Sequence, residues 1–295
     1  MSSAVATPEA VDSQGMNYLV SLPRRIVTIY LPLAAFVIVL LFPFYWMTIT
    51  ALKPNEELLS REGNPFWVIH PTLDHIKKLL FDTSYPEWLW NTVVISVVST
   101  CLSIFCSVLA AYAIERLRFR GSRYVGMSIF LAYLVPPSIL FIPLAAMVYK
   151  LDLFDTRLAL ILTYPTFLIP FCTWLMMGYF KAVPRELEEC ARIDGASRWQ
   201  AMLYIVIPVA IPGILSAGIF AFTLSWNEFI YALVFLSSPA QKTVPVGVTS
   251  ELIRGDVFFW GPLMAGALLG SIPVAIAYSF FVEHYVAGLT GSVKG

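Results

Sequence analysis

Charged residues are scarce in this sequence of 295 residues. Asp, Glu, Lys and Arg make up 13% of it, hydrophobic residues make up 58%, and the mean hydropathy is +0.75. Soluble domains contain roughly one quarter charged residues. Too much apolar surface is present for a soluble core to bury, so the composition predicts an integral membrane protein. Basic and acidic residues balance at nineteen each, so no net field would attract nucleic acid as a partner.

Several chemical signatures are absent as well. No Gly is followed by Lys, so there is no Walker A loop, and neither a zinc-protease nor a serine-hydrolase motif occurs. No cysteine pair has metal or redox spacing. We therefore expect no catalytic residue, no metal site and no cofactor bound by this chain, and a membrane-embedded enzyme has no support. The cysteines and histidines lie scattered, at Cys101, Cys106, Cys172, Cys190, His70, His75 and His284.

Six runs without charged residues, each 23 to 29 residues long, organise the chain. About 20 apolar residues cross a hydrocarbon core of ~30 Å, and lipid favours helices because their backbone bonds are satisfied internally. The sequence predicts an all-α, polytopic six-helix bundle, with the third span broken near Pro136-Pro137 and a re-entrant or interfacial segment at 229–236. The predicted spans are 26–52, 88–114, 124–149, 158–180, 199–227 and 257–282.

The distribution of basic residues predicts the orientation. With six spans, both termini lie on one side, and the segments of that side hold eleven basic residues against eight on the other. By the positive-inside rule, both termini are expected in the cytoplasm. The predicted division is a cytoplasmic tail at 1–25, a permease domain at 26–287 and a cytoplasmic tail at 288–295.

One cytoplasmic connection has a defined pattern. Pro184 suits the first position of a helix, and Gly195 suits its left-handed end. Ser197 and Gln200 then form a capping box that starts the next helix. The spacing predicts a short surface helix, a glycine turn and a membrane helix. Two i,i+4 ion pairs are expected on the surface helix, Arg185 with Glu189 and Glu188 with Arg192.

This connection resembles the inner-membrane permease subunits of binding-protein-dependent ABC importers. Their motif is Glu-Ala-Ala, three residues, Gly, nine residues, then Ile-x-Leu-Pro, and here Cys190 and Ile207 replace an Ala and the Leu. Weaker matches along the chain resemble the carbohydrate branch, to which the maltose-transporter permeases belong. The resemblance implies a coupling helix at 184–195 that docks on an ATPase. The residues that it assigns to coupling are Glu189, Cys190, Ala191, Asp194, Gly195 and Pro208.

The resemblance also implies the partners and the location. Such a permease works with a second permease subunit, two ATPase subunits that bind ATP and Mg, and an extracytoplasmic solute-binding protein. It is surrounded by membrane lipid in the inner membrane of a bacterium or archaeon. The implied function is to form half of the pathway for a sugar or polyol.

A candidate solute pathway lies at the end of the fifth run, at Trp226, Asn227 and Glu228. Aromatic faces and amides suit sugar rings and hydroxyls, because a buried hydroxyl needs a partner. The alternative is an interfacial aromatic belt beside a polar helix end.

The competing function is an ion-coupled secondary transporter. Such carriers place Asp, Glu or His inside their spans to bind the coupling ion. All six runs lack these residues, and Glu228 lies only at the end of one. The pattern therefore favours transport driven by a separate ATPase.

Overall fold

The computed structural model describes residues 22–60, 63–255 and 257–291, and most of them are helical. This confirms the all-α class. Within these ranges the only strands are two-residue segments, β1 (Ile253–Arg254) and β2 (Val257–Phe258), which pair antiparallel. The helices are α1 (Leu22–Leu52), α2 (Asn55–Leu59), α3 (Asp74–Phe81), α4 (Tyr85–Leu117), α5 (Ser122–Tyr133), α6 (Pro137–Lys150), α7 (Arg157–Ala182), α8 (Arg185–Ile193), α9 (Arg198–Trp226), α10 (Ile230–Phe235), α11 (Val244–Leu252) and α12 (Trp260–Gly291).

Five helices of the described chain are long and apolar enough to cross a membrane, namely α1, α4, α7, α9 and α12. Helices α5 and α6 meet at 96° and satisfy the same criterion only as a pair, either as a sixth, broken span or as a re-entrant loop. The break falls at the predicted Pro136-Pro137 pair, where Pro136 is extended with ψ 130°. Neither proline has an N–H to donate, and a residue that precedes proline is disfavoured in helix, so the ladder cannot continue through them.

Most helix ends differ from the predicted span limits, and the differences are largest in the first and last helices. The first helix begins at Leu22 and includes Arg24 and Arg25, whereas the span was predicted from residue 26. The last helix begins at Trp260, because residues 257–258 pair as a strand, so the predicted start at 257 is wrong. A run without charged residues indicates which part of the chain can face lipid. Backbone hydrogen bonding determines where the helix begins and ends. This helix also extends to Gly291, into the predicted tail, and residues 1–21 and 292–295 of the two tails lie outside the described residues.

The core of the bundle consists of three clusters of buried residues: two lie between α4, α7 and α9, and the third lies between α1, α3, α4, α11 and α12. The cluster nearest α8 contains Val108, Ala111, Tyr112, Met176, Phe180, Met202, Val206, Ala210 and Ala217. The middle cluster includes Leu160, Tyr164, Leu168, Tyr231 and Phe235. The third cluster includes Leu79, Tyr85, Trp88, Val244 and Val248.

The predicted re-entrant segment folds into this bundle. Helix α10 has only six residues, too few to cross a membrane. Its Tyr231 and Phe235 are fully buried in the middle cluster, against residues of α7. The segment is therefore part of the core and does not lie flat on the surface.

Much of the outer surface is apolar. Helix α1 has no buried residue in its most hydropathic window, and its Phe36 and Ile38 are strongly exposed. Exposed apolar surface on this scale is unfavourable in water but suits hydrocarbon. The fold is therefore that of a multi-pass membrane protein.

Candidate functional site

The helix of the sequence motif, α8, begins one residue later than predicted. Pro184 is the N-cap with ψ 135°, so the helix starts at Arg185 and not at the proline. Glu186 and Glu188 lie in the first turn, where carboxylates favour the positive end of the helix dipole.

The glycine turn ends α8 as predicted. Gly195 has φ 93°, and its N–H donates to Arg192 O at 3.2 Å. The N–H of Ala196 donates to Ala191 O at 3.0 Å, which completes a Schellman motif. The capping box then starts α9, with Ser197 N–H donating to Gln200 Oε1 at 2.8 Å. These bonds fix the direction of α8 relative to α9.

Helix α8 is attached to the end of α4 by two side chains of α4. Tyr112 donates its hydroxyl to Glu188 Oε1 at 2.7 Å, and Arg116 Nη2 donates to Val183 O at 2.6 Å. The ring of Tyr112 is buried in the cluster nearest α8, edge-on to Phe180. A rigid tyrosine therefore connects the surface helix to the membrane core.

The predicted ion pairs on α8 are wrong. Neither Arg185–Glu189 nor Glu188–Arg192 is among the ion pairs of the described residues. Arg185 instead donates to Glu115 O at 3.0 Å, and Glu188 accepts the tyrosine hydroxyl of α4. Exposed i,i+4 pairs contribute only about 0.3–0.5 kcal/mol, so tertiary partners displace them easily.

The remaining face of α8 is open. Glu189, Cys190 and Asp194 are exposed and Ala191 is half-buried. Sequence reasoning missed Ile193, which is 85% exposed although it is a large apolar residue. Leu187, at 43% exposure, adds to this apolar surface. Isolated exposed apolar residues are common on proteins, but here they lie on one short helix that is attached to α4 and α9.

Pro208, the last residue of the motif, lies inside α9 and follows a π-helical turn at Met202–Val206. The N–H of Ile207 bonds to Met202 O, five residues back, just before the proline. Proline lacks an N–H and clashes with the preceding turn of an α-helix, and a widened turn accommodates it. Pro208 therefore affects the conformation of α9 near its N-terminal end. None of the hydrogen bonds between α8 and its neighbours described above involves Pro208.

At the other end of α9, the three candidate pathway residues have different environments. Trp226 is 4% exposed, and its ring lies tilted against that of Phe222 with the centroids 5.4 Å apart. Glu228 accepts the N–H groups of Tyr231 at 2.7 Å and Ala232 at 3.1 Å, so it caps α10. A further bond to Glu228 comes from the hydroxyl of Tyr164 at 2.9 Å. The geometry of Glu228 is that of a structural cap.

Asn227 is the exposed member of this group. Its Nδ2 donates to Thr223 O at 2.9 Å. It lines a cleft of about 520 Å³ with Trp226, and the cleft wall also carries the hydroxyls of Thr249 and Ser271. Aromatic and apolar surface with a few polar groups is typical of a small-molecule site.

An aspartate outside the spans holds the connection between α6 and α7. Asp155 Oδ1 accepts the N–H groups of Ser237 and Ser238 at 2.8 and 2.9 Å, and Oδ2 accepts the Ser238 hydroxyl. Burial raises the pKa of Asp155, but the hydrogen bonds from Ser238 and Ser237 outweigh it and leave the pKa below its ordinary value. The ionised carboxylate thus ties this connection to the segment after α10. In the described part of the chain, no group of three His, Cys, Asp or Glu is arranged to hold a metal ion.

Comparisons with known proteins identify the family. The model of the binding-protein-dependent transport system inner membrane component matches residues 103–290, which include α8 and its turn. The sulfoquinovosyl glycerol transport system permease protein SmoH of Agrobacterium fabrum is 38% identical over 258 residues, 86% of this chain and 89% of that protein. The trehalose/maltose transport system permease protein MalG of Thermococcus litoralis is 32% identical over 262 residues, 88% of this chain and 93% of that one.

A solved structure has the same fold. A chain of a bacterial ABC transporter involved in the import of the acidic polysaccharide alginate aligns with a TM-score of 0.76 at 21% identity, covering 90% of this chain and 98% of that chain. The chain described here therefore belongs to the family of inner membrane components of binding-protein-dependent transport systems.

Proposed function

We propose that this chain forms half of the translocation pathway for a sugar or polyol in an ATP-driven importer. A second permease, two ATPase subunits and an extracytoplasmic solute-binding protein complete the assembly, and ATP and Mg bind to the ATPases. The family supports dependence on a binding protein, and related permeases named for sulfoquinovosyl glycerol and for trehalose and maltose support the solute class.

Helix α8 is the proposed contact with one ATPase. The observation that carries this proposal is its combination of an open face and a rigid attachment. Ile193, Leu187 and Cys190 face outward, while the Tyr112–Glu188 bond and the Gly195 turn connect the same helix to α4 and α9. A movement of the ATPase against the open face would therefore reach two membrane helices.

Cys190 provides a test of both orientation and docking, because it is exposed on α8. With both termini in the cytoplasm, a membrane-impermeant maleimide should label Cys190 in inverted vesicles and not in intact cells. Assembly with the ATPases should protect it. A Cys190→Ser variant serves as the control for labelling at Cys101, which is also exposed. Labelling in intact cells would overturn the orientation, and equal labelling with and without the ATPases would overturn the docking.

Asn227 and Glu228 test the pathway as a matched pair. Asn227→Ala should change the concentration dependence of uptake and leave assembly intact, because its side chain lines the open cleft. Glu228→Ala should instead reduce the yield of assembled complex, because three hydrogen bonds to the carboxylate are lost. Unchanged uptake in the Asn227→Ala variant would favour an aromatic belt over a solute site.

A further inference from the structure

A basic segment connects α4 to α5 at the same end of the bundle as α8. Arg116, Arg118, Arg120 and Arg123 fall within eight residues, and Phe119 is exposed among them. The contacts of residues 115 and 116 with 185 and 183 place this segment beside the start of α8. Arg116 is bonded to Val183 beside α8, whereas Arg118 and Arg123 line a separate groove.

A groove of about 500 Å³ opens next to this segment, between α4, α5 and α7. Arg118, Ser122 and Arg123 line one end together with Glu115, and Met127, Phe130 and Trp174 line the rest. The groove therefore has a cationic end and an apolar length.

The depth of the groove depends on a buried glycine. An added Cβ at Gly126 would lie 3.1 Å from Met177 Cε and 3.3 Å from Ile114 Cγ2, so any larger residue would fill the floor. At the apolar end, the rings of Phe130 and Trp174 lie 4.5 Å apart and form a continuous wall. Trp174 is 49% exposed and Phe130 is half-buried, so the wall is partly open at the apolar surface of the bundle.

The charges at the cationic end are accessible. Arg118 is 62% exposed, and its ion pair with Glu115 is long, at 3.8 Å. Arg123 is also exposed. The guanidinium groups of Arg118 and Arg123 outnumber the single carboxylate of Glu115, so this end of the groove has a net positive charge that complements an anion. Arginine is suited to phosphate because its planar guanidinium donates several hydrogen bonds.

We propose that this groove binds one anionic phospholipid of the membrane. Its headgroup phosphate would lie between Arg118 and Arg123, and an acyl chain would follow Met127, Phe130 and Trp174. A soluble anion would not use the apolar length, and a neutral lipid would not use the excess positive charge. Basic pockets between membrane helices are suited to anionic headgroups. This inference is independent of the solute and of the ATPase contact.

The test uses the assembled transporter in nanodiscs that contain equal amounts of phosphatidylglycerol and phosphatidylethanolamine. After transfer to detergent, the retained lipids are extracted and quantified by mass spectrometry. Phosphatidylglycerol should be retained in excess by the unaltered chain. Arg118→Gln and Arg123→Gln should each lower that retention about fivefold, the value of one basic residue near an anionic surface. Arg120→Gln is the matched control, because Arg120 carries the same charge in the same segment but does not line the groove.

The apolar part of the groove is tested separately. Met127→Trp should fill it and lower lipid retention, whereas Leu131→Trp, one turn further along α5 and outside the groove, should not. Phosphatidylglycerol with brominated chains should quench Trp174, so quenching should decrease in Trp174→Phe. This optical measurement still applies if the Met127→Trp variant does not assemble.

Three results would overturn the proposal. The first is an equal loss of phosphatidylglycerol in the Arg118→Gln and Arg120→Gln variants, which would indicate unspecific attraction to the basic segment. The second is equal retention of the two lipids by the unaltered chain. The third is cross-linking of a cysteine at position 127 to another subunit, which would make the groove a protein interface.

Discussion

Substitutions at Gly195 can test two contributions to the turn after α8 separately, namely its left-handed backbone conformation and its backbone hydrogen bond. Gly195 has φ 93°, and no atom lies within 4 Å of an added Cβ, so only the backbone conformation disfavours a side chain. A left-handed alanine costs about 1–2 kcal/mol, whereas asparagine adopts this conformation more readily. Proline cannot reach this φ and also loses the N–H that bonds to Arg192 O.

The expected order of ATPase binding is therefore Gly195, then Gly195→Asn, then Gly195→Ala, then Gly195→Pro. If the turn must form for α8 to dock, a cost of 1–2 kcal/mol lowers the apparent affinity about 5- to 30-fold. The Asn variant should lose little, and the Pro variant should not co-purify with the ATPase. The assay is titration of the purified ATPase onto the permease pair in nanodiscs, with membrane insertion of each variant as the control. Equal affinity in the Ala and Asn variants would refute the conformational argument.

Two further predictions concern the packing of the bundle and the connection between α6 and α7. Gly213→Ala should lower the free energy of unfolding by about 1–3 kcal/mol through overpacking, because the added Cβ would overlap with the Tyr179 ring. The melting temperature should fall accordingly. Gly218→Ala is the control, since nothing lies within 4 Å of its added Cβ, and it should not lower the melting temperature. The pKa of Asp155 is lower in the folded state than in the unfolded state, so folding favours the ionised carboxylate. The stabilisation from this carboxylate is therefore present above the unfolded pKa of about 3.9. It is lost as the pH falls through the folded pKa. Protection of the Ser238 amide against hydrogen exchange, taken relative to the intrinsic rate of an unfolded amide at each pH, should therefore fall at low pH. An Asp155→Asn variant should show a weaker dependence of this protection on pH; identical pH profiles would contradict the clamp.

The sequence predicted those features that depend on local chemistry. The break at Pro136-Pro137 follows from two missing donors, and the turn at Gly195 follows from the need for a positive φ. The capping box of Ser197 with Gln200 is equally local, since three residues separate its two partners. In each case the residue type restricts the backbone directly.

Features that depend on tertiary contacts could not be predicted. Tyr112 and Glu188 are 76 positions apart, so their bond has no signal in the local pattern. This contact explains why Glu188 does not pair with Arg192, and the bond of Arg185 to Glu115 O explains why Arg185 does not pair with Glu189. Glu228 was grouped with the pathway because of its position, but its partners on α10 and at Tyr164 give it the geometry of a cap. A signal for Ile193 was present in the sequence, as an apolar residue at the end of a highly charged helix.

The most direct test of ATP-driven import is reconstitution into proteoliposomes. The account predicts that labelled sugar accumulates only when both permeases, the ATPases, the loaded binding protein and ATP are present, and that ATP hydrolysis accompanies uptake. Accumulation driven by a proton or sodium gradient, with this chain and no ATPase, would contradict it.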